Sequence, residues 1–386
     1  MRTITDTDDL ADFCSAAKDN PYVTIDTEFL RERTYWSQLC LIQMALPGKD
    51  GETVLVDPIR GEDLSLEPLY DLFRHRQTVK VFHAARQDLE IFYVQGQVFP
   101  EPLFDTQVAA MVCGYGEQAS YETLVRRIAK ARIDKSSRFT DWQRRPLSEA
   151  QMTYAAADVI HLRRVYEVLS AQLVENGRSG WIEEELNVLT DPGTYIVEPD
   201  EAWRRVKTRS SSGRFLAILR ELARFREIQA QERNIPRNRV LKDDALCELA
   251  STHPTTEEEI GRSRLLFREG RKPEMTEGLL AAIRQGLEVA PDSFPRLHVR
   301  DDAPHNGHGA LNELLRVLLK AKSEILGIAP RLVASAADLD ALADGARDIP
   351  LLHGWRKEAF GDDALRLCNG EIALTAEGDK LRVIPL

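Results

Sequence analysis

The stretch VTIDTEFLRERTYWSQLCLIQ, residues 23–43, carries two carboxylates, Asp26 and Glu28, two positions apart in a segment with strand character. Successive side chains of a strand alternate between its faces, so both carboxylates project to the same side of a sheet. Two like charges side by side repel each other, and a divalent cation between them removes that cost. The stretch therefore predicts a strand that carries part of a metal site.

The segments around this stretch alternate between strand-like and helix-like patterns. Strands are predicted at Tyr22–Glu28, Leu39–Leu46, Thr53–Asp57 and Val79–His83. The turn-prone residues Pro47–Gly51 indicate that the second and third of these form a hairpin. Helices are predicted at about Leu66–His75, Arg86–Tyr93, Thr106–Cys113, Tyr121–Ala131 and Ser148–Leu173. This order favours an α/β fold, with a mixed sheet flanked by helices.

Three further residues complete a candidate catalytic group. Asp88 follows the strand Val79–His83 at the start of a helix, where an aspartate is also a common helix cap. Tyr154 and Asp158, in the segment YAAAD, lie one turn apart on one face of a helix, although an ordinary amphipathic helix would show the same spacing. The alanines between them keep this helix slim, so another element can approach it closely.

Four carboxylates together can supply a metal site made only of oxygen atoms. Such ligands suit Mg²⁺ or Mn²⁺ rather than zinc. Phosphodiester hydrolysis commonly uses two such ions about 4 Å apart. A tyrosine beside a ligand can orient the attacking water and accept its proton, although its unperturbed pKa of about 10 leaves most of the activation to the metal. The spacing alone thus predicts a two-metal phosphodiesterase of unknown polarity.

The charge of the chain is acidic overall but unevenly distributed. A net charge of −11 over 386 residues argues, taken alone, against nucleic-acid binding. Residues 203–242 nevertheless carry twelve Lys and Arg against three acids, and residues 126–145 carry eight against two. From the first of these segments we expect phosphate contacts by Arg204, Arg205, Lys207, Arg237, Arg239 and Lys242. Phe29, Trp36 and Trp142 are candidates to stack on unpaired bases, with core packing favoured for Trp142.

Composition excludes several other classes of protein. The five cysteines are scattered and form no Cys-x-x-Cys pair, which argues against a disulfide framework or a zinc site and favours the cytoplasm. The acidic N-terminal residues contain no continuous apolar stretch, so we expect no signal peptide. No apolar run approaches the roughly 18 residues of a membrane span, so we expect no membrane association.

Three segments resemble the exonuclease motifs of the DEDD superfamily. They are residues 23–43, VFHAARQDLEIF (81–92) and TDWQRRPLSEAQMTYAAADVIHL (140–162). The Tyr-x-x-x-Asp form of the third motif is that of the tyrosine subclass, and the segments are similar to those of the bacterial ribonuclease D family. The resemblance implies an RNase H-like α/β exonuclease domain and two divalent metal ions, Mg²⁺ or Mn²⁺. It also implies 3′→5′ hydrolysis of RNA that releases nucleoside 5′-monophosphates, with tRNA precursors bearing 3′ trailers as substrates.

The same resemblance assigns roles by position. The metal ligands would be Asp26, Glu28, Asp88 and Asp158, and the residue that positions the water would be Tyr154. Thr27 and Phe29 would contact the terminal nucleotide. Arg86 and Gln87 depart from the small or acidic residues expected before Asp88, which puts substrate contacts in doubt more than chemistry.

The rest of the chain is predicted to be helical. Residues 215–250 resemble the helicase-and-ribonuclease-D C-terminal (HRDC) domain, with a loop at Asn234–Lys242, and residues 328–342 and 351–367 resemble a divergent second copy that runs to Leu386. We therefore predict two small all-α helical-bundle domains after the exonuclease domain, in a chain that acts as a monomer. The predicted boundaries are 1–190 for the exonuclease domain, 191–207 for a linker, 208–290 for the first HRDC-like domain and 300–386 for the second.

Two other functions remain open at this point. A DNA 3′–5′ exonuclease would use the same carboxylates, although no polymerase or helicase domain is attached. A non-catalytic RNA-binding scaffold could keep the fold, but the presence of all four acids and of Tyr154 argues against it.

Overall fold

The computed structural model describes residues 1–61, 63–266, 270, 272–296, 309–378 and 380–386. The chain forms two compact units. The first comprises Met1–Glu28, Leu41–Thr190 and Asp302–Leu386, and the second comprises Phe29–Cys40 and Asp191–Asp301. The division into one exonuclease and two HRDC-like domains stays a prediction, and its boundary at residue 300 lies outside the described residues.

A six-stranded mixed sheet, in the order β1-β4-β3-β2-β5-β6, lies at the centre of the exonuclease region. Its strands are β1 (Arg2–Ile4), β2 (Tyr22–Leu30), β3 (Gln38–Ala45), β4 (Thr53–Val56), β5 (Val79–Phe82) and β6 (Leu103–Asp105). β3 and β4 pair antiparallel, with Ala45 opposite Thr53, which confirms the predicted hairpin. β5 runs parallel to both β2 and β6. The strand with the paired acids, β2, therefore lies in the interior of the sheet.

Seven α-helices accompany this sheet in the described residues. They are α1 (Thr7–Lys18), α2 (Glu67–Arg74), α3 (Arg86–Gly96), α4 (Thr106–Val112), α5 (Tyr121–Leu124), α6 (Glu149–Glu175) and α7 (Trp181–Leu189). The five predicted helices are confirmed, although the predicted helix Tyr121–Ala131 changes into a π-helix at Val125–Ala129. The elements α1, α7, β1 and β6 were not predicted. β1 and β6 have three residues each, which are too few to show a period-2 pattern.

Helix α6 is built so that the sheet can approach it. Its N-terminus is fixed by a capping box, in which the side chains of Ser148 and Gln151 each accept the other residue's backbone N–H. Ala155 and Ala156 are buried, as the slim YAAAD segment predicted. The Thr24 hydroxyl on β2 donates a hydrogen bond to the Val159 carbonyl at 2.9 Å. This bond links the strand and the helix that carry the candidate carboxylates.

The second unit is helical and has its own apolar core. Its α-helices are α8 (Gly213–Glu232), α9 (Arg237–Val240), α10 (Asp243–Thr252), α11 (Glu257–Gly261) and α12 (Pro273–Glu288). Two 3₁₀ helices, Pro192–Thr194 and Pro199–Arg205, occupy the predicted linker, and Trp203 and Val206 are buried in the core with α8. The predicted loop Asn234–Lys242 contains the short helix α9. These differences arise because apolar residues in both segments are buried against α8.

The C-terminal block, from residue 309 onward, belongs to the first unit. Its elements are α13 (Gly309–Leu326), α14 (Pro330–Val333), α15 (Ala336–Ala343), α16 (Gly354–Arg356), the π-helix Lys357–Gly361, α17 (Asp362–Cys368), β7 (Ile372–Glu377) and β8 (Lys380–Pro385). Its core is continuous with that of the exonuclease region, where the Ala329 N–H donates to the Met111 carbonyl at 3.1 Å. The largely helical fold is confirmed, but the all-α prediction is wrong for β7 and β8. Their antiparallel pairing brings Leu374 opposite Val383, a contact that helical periodicity does not reveal.

Two predictions from composition can be compared with this fold. All five cysteines are free thiols, as expected from their scattered positions. In the part of the chain that the structure describes, every helix is either too short or too polar to cross a lipid bilayer.

Candidate active site

Three of the four candidate carboxylates meet at one point of the fold. Asp26 and Glu28 project from one face of β2, and Asp158 projects from α6. Each offers an oxygen atom, and these three atoms lie within 4.8 Å of one another. The two-residue spacing on a strand and the four-residue spacing on a helix therefore identified side chains that the fold brings together. Their assignment as metal ligands remains a prediction.

Asp88 lies beside this group, near the start of α3. Its carboxylate is buried and accepts a hydrogen bond from the Thr27 hydroxyl. The Asp88 charge contributes to raising the pKa of both Asp26 and Glu28, so it acts on the same small volume. Thr27, expected to contact the terminal nucleotide, is thus buried with its hydroxyl turned to a candidate ligand.

Asp105, which had not been selected from the sequence, fixes the turn that leads into α3. The Asp105 carboxylate accepts hydrogen bonds from the backbone N–H groups of Ala84 at 3.0 Å, Ala85 at 2.8 Å and Gln107 at 2.7 Å. Ala84 has a φ of +57°, a left-handed conformation that these bonds stabilise. Asp105 therefore positions the helix that carries Asp88.

Tyr154 lies one turn before Asp158 and is hydrogen-bonded to its carboxylate. Its ring packs against Trp142, with 6.0 Å between the ring centroids and 36° between the planes. Trp142 is only 2% exposed, which confirms the core packing favoured for it. Burial and the neighbouring carboxylates raise the pKa of Tyr154 above its ordinary value, so this tyrosine remains protonated at neutral pH.

The carboxylates occupy an environment that strongly disfavours their negative charge. Burial is the largest cause, and it raises the pKa of Glu28 to about 9 and the pKa values of Asp88 and Asp158 to about 7. The pKa of Asp26 is raised well above its ordinary range by burial and by the charges of the other three acids. A divalent cation would supply the missing positive charge, and a donor set made only of carboxylate oxygens fits Mg²⁺ or Mn²⁺.

Two side chains near the cluster had not been selected from the sequence. The Tyr121 hydroxyl donates to the Ala157 carbonyl at 3.0 Å, and Asp158 and Asp26 contribute, after burial, to raising the pKa of Tyr121. Arg138 lowers the pKa of both Glu28 and Asp158 through its positive charge. The high density of basic residues in 126–145 was a signal for Arg138, whereas no local pattern marked Tyr121.

The predicted RNA-contacting residues fall into two groups. Five have exposed side chains: Arg204, Arg205, Lys207, Arg239 and Lys242, of which Arg204 is also paired with the exposed Glu201. Arg237 differs, because its guanidinium is paired with the fully buried Glu227, donates to the Tyr35 hydroxyl at 2.8 Å and lies 5.0 Å from the Tyr35 ring centroid. These protein partners give Arg237 a structural role within the second unit, and its contact with RNA stays a prediction.

The raised pKa values predict how the stability of the metal-free protein depends on pH. Some carboxyl groups have a higher pKa in the folded than in the unfolded state. The contribution of such a group to the free energy of unfolding is fully present below its unfolded pKa of about 4. That contribution is lost as the pH rises through the folded values, here about 7 for Asp88 and Asp158 and about 9 for Glu28. In chelator, the carboxylate cluster should therefore destabilise the fold increasingly between pH 6 and pH 9.

Thermal unfolding with chelator and with Mg²⁺ measures this effect. We expect the stabilisation by Mg²⁺ to be small at pH 6 and to grow towards pH 9, because carboxylates bind metal only when deprotonated. Burial lowers the pKa of Lys80 to about 7, which gives the opposite slope, but Lys80 contributes equally with and without metal and cancels in the difference. A stabilisation by Mg²⁺ that is the same at every pH would contradict the prediction.

Comparison with known proteins identifies similar domains and similar full-length chains. Residues 1–174 match the family model described as 3'-5' exonuclease, and residues 215–283 match the HRDC domain. Ribonuclease D of Jannaschia sp. is 59% identical over 383 residues, which cover 99% of each chain. Ribonuclease D of Granulibacter bethesdensis is 46% identical over 385 residues, which cover 99% of this chain and 96% of the relative.

A solved structure extends the similarity to three dimensions. The crystal structure of Escherichia coli RNase D, described as an exoribonuclease involved in structured RNA processing, matches with a TM-score of 0.81 at 29% identity. The match covers 95% of this chain and 98% of the other. Because the similarity spans the whole chain in sequence and in structure, the chain belongs to the ribonuclease D family of 3′–5′ exoribonucleases.

Proposed function

We propose that this enzyme trims extra residues from the 3′ ends of RNA, with tRNA precursors among its substrates, and releases nucleoside 5′-monophosphates one at a time. The observation that carries the proposal is the convergence of Asp26, Glu28 and Asp158 within 4.8 Å, with Asp88 beside them. The description of the E. coli relative as an enzyme of structured RNA processing supports the substrate class.

Asp26, Glu28, Asp88 and Asp158 would hold two divalent metal ions, Mg²⁺ or Mn²⁺. Bound ions of this kind lower the pKa of water and stabilise the charge that develops on the phosphate and on the leaving oxygen. The protein holds the ligands rigidly, because Thr27 fixes the Asp88 carboxylate and Thr24 joins β2 to α6. Pre-positioned ligands reduce the reorganisation that the reaction requires.

Tyr154 would orient the attacking water. Its hydroxyl lies beside Asp158 and stays protonated, so it can form hydrogen bonds as a donor and as an acceptor. Packing against Trp142 fixes the ring. The role is one of orientation, since the raised pKa of Tyr154 leaves little phenolate to act as a base at neutral pH.

The exposed basic side chains of the second unit would bind the RNA backbone. Arg205 and Lys207 are exposed, as are Arg239 and Lys242 further along the chain. Contacts of this kind recognise phosphates rather than bases, which suits an enzyme that removes trailers of varied sequence. A monomer in the cytoplasm, as expected from the sequence, completes the proposal.

Incubation with a tRNA precursor that carries a 3′ trailer tests this function. With Mg²⁺ we expect stepwise shortening of the trailer and mononucleotide products, and with chelator no reaction. A single-stranded DNA of the same sequence serves as the comparison for the DNA-exonuclease alternative. Equal or faster degradation of the DNA would contradict the assignment of RNA as the substrate.

A further inference from the structure

A basic loop, residues 130–147, joins the π-helix Val125–Ala129 to α6. Two neighbouring side chains of this loop are exposed. Phe139 is 90% exposed, which is unusual for a large apolar residue. The guanidinium of Arg138 lies 5.1 Å from the Phe139 ring centroid, and its side chain has no hydrogen-bond partner among the residues that the structure describes. Both groups are therefore available to a ligand.

The loop is held in place from the side of α6. The Thr140 hydroxyl donates to the Ser137 carbonyl at 2.8 Å, and the Ser137 side chain is buried. The Gln151 amide donates to the Thr140 hydroxyl at 3.1 Å and to the Asp141 carbonyl at 3.3 Å. Since Gln151 also belongs to the capping box of α6, these bonds fix the basic loop to the helix that carries Tyr154.

A buried ion pair holds the other end of the loop. The Arg145 guanidinium binds both carboxylate oxygens of Asp57 at 2.7 Å, and it also donates to the Trp142 carbonyl at 2.7 Å. Asp57 directly follows β4 and is almost completely buried. Planar two-point pairs of this type are geometrically specific, so the basic loop has a defined position next to the sheet.

The charge of Arg138 reaches the carboxylate cluster. The loop that carries Arg138 lies beside Tyr154, because the Trp142 ring packs against the Tyr154 ring with 6.0 Å between centroids and Thr140 is hydrogen-bonded to Gln151 one turn before Tyr154. The positive charge of Arg138 also lowers the pKa of Glu28 and of Asp158. Lys135, three residues earlier in the loop, is paired with Glu122 instead. Arg138 thus combines a position beside the candidate acids with a guanidinium that forms no ion pair with a carboxylate in the described part of the chain.

We propose that Arg138 binds a phosphate next to the scissile bond and that Phe139 stacks on an unpaired base near the 3′ end of the RNA. A guanidinium presents several N–H donors in one plane, which suits the non-bridging oxygens of a phosphate. An exposed ring beside it gives a base an apolar surface without selecting its sequence. This inference rests on the proposed function, because it assigns the residues that hold the RNA end at the same site.

Arg138→Gln, with Lys135→Gln as the matched control, tests the phosphate contact. Both substitutions remove one positive charge from the same loop. We expect Arg138→Gln to lower kcat/KM on single-stranded RNA by about 10- to 100-fold, and Lys135→Gln to change it by less than about twofold. Equal effects of the two substitutions would overturn the proposed contact, since the loop charge alone would then explain them.

Phe139→Ala and Phe139→Tyr test the stacking contact. We expect the alanine variant to bind single-stranded RNA about tenfold more weakly, and the tyrosine variant to bind as the wild type does. The difference should disappear for an RNA that lacks bases at its three terminal nucleotides. Weaker binding by Phe139→Ala that persists with the abasic RNA would overturn stacking.

RNA binding in chelator separates this inference from the proposed function. Fluorescence anisotropy with a short labelled RNA reports on Arg138 and Phe139 without hydrolysis. A wild type that binds RNA but never shortens it with Mg²⁺ would overturn the proposed function, while the comparison of Arg138→Gln with Lys135→Gln would still decide the inference. A wild type that binds no RNA in chelator but shortens it with Mg²⁺ would overturn the inference and leave the proposed function in place.

Discussion

Asp158→Asn is expected to lower kcat on RNA by at least about a thousandfold while the chain remains folded. The substitution removes one of the three carboxylates whose oxygens lie within 4.8 Å, so it weakens metal binding where the charge of the reaction develops. Metal ions stabilise such charge by several kcal/mol, and each 1.4 kcal/mol or so corresponds to a factor of ten. The amide preserves the size of the side chain and can still accept a hydrogen bond from Tyr154.

The same variant has a second expected effect that an ordinary damaging mutation would not show. In chelator, Asp158→Asn should unfold at a higher temperature than the wild type, because it removes a negative charge that raises the pKa values of Asp26 and Glu28. Glu149→Gln, at the exposed start of the same helix, is the control and should retain activity. Wild-type activity of Asp158→Asn would show that the carboxylate cluster is not the catalytic centre.

Tyr154→Phe is expected to lower kcat by about a hundredfold with little change in the Mg²⁺ concentration that gives half of the maximal rate. The phenylalanine keeps the packing against Trp142 and loses only the hydroxyl beside Asp158. The substitution should therefore lower kcat by disturbing the orientation of the attacking water, and it should leave metal binding unchanged. Steady-state kinetics at several Mg²⁺ concentrations separate the two effects.

A second tyrosine of α6 offers a matched control. Tyr166 packs against Tyr22 and Phe104, away from the carboxylates, and Tyr166→Phe removes the same hydroxyl from the same helix. Tyr166→Phe should leave kcat within about twofold of the wild-type value, because Tyr166 takes no part in the reaction. If Tyr154→Phe and Tyr166→Phe slow the enzyme equally, Tyr154 has no special role in the reaction.

The residues that could be predicted from the sequence are those placed by local geometry. The two-residue spacing of Asp26 and Glu28 determines a shared face of a strand, and the four-residue spacing of Tyr154 and Asp158 determines a shared face of a helix. Both relations hold in the structure because secondary structure alone fixes them. Asp88 was a weaker candidate, because its position at a helix start is also that of a common helix cap, and the resemblance to a known family gave it the role of a metal ligand.

The residues that could not be predicted depend on contacts between distant segments. Asp105 acts through the backbone of Ala84 and Ala85, and Arg138 reaches acids on two other elements. The pairing of Arg237 with Glu227 could not be predicted either, because only the packing of α8 against α9 brings the two side chains together. Counting charges along the chain finds basic segments, but it does not show which cations the protein itself neutralises.

The most direct test of the central claim, that this carboxylate cluster removes nucleotides from the 3′ end of RNA, is a time course on single-stranded RNA labelled at its 5′ end. With Mg²⁺ we predict a ladder of labelled products that shorten one nucleotide at a time, and with chelator no change. Immediate release of a labelled mononucleotide, internal fragments alone, or undiminished degradation in chelator would contradict the account.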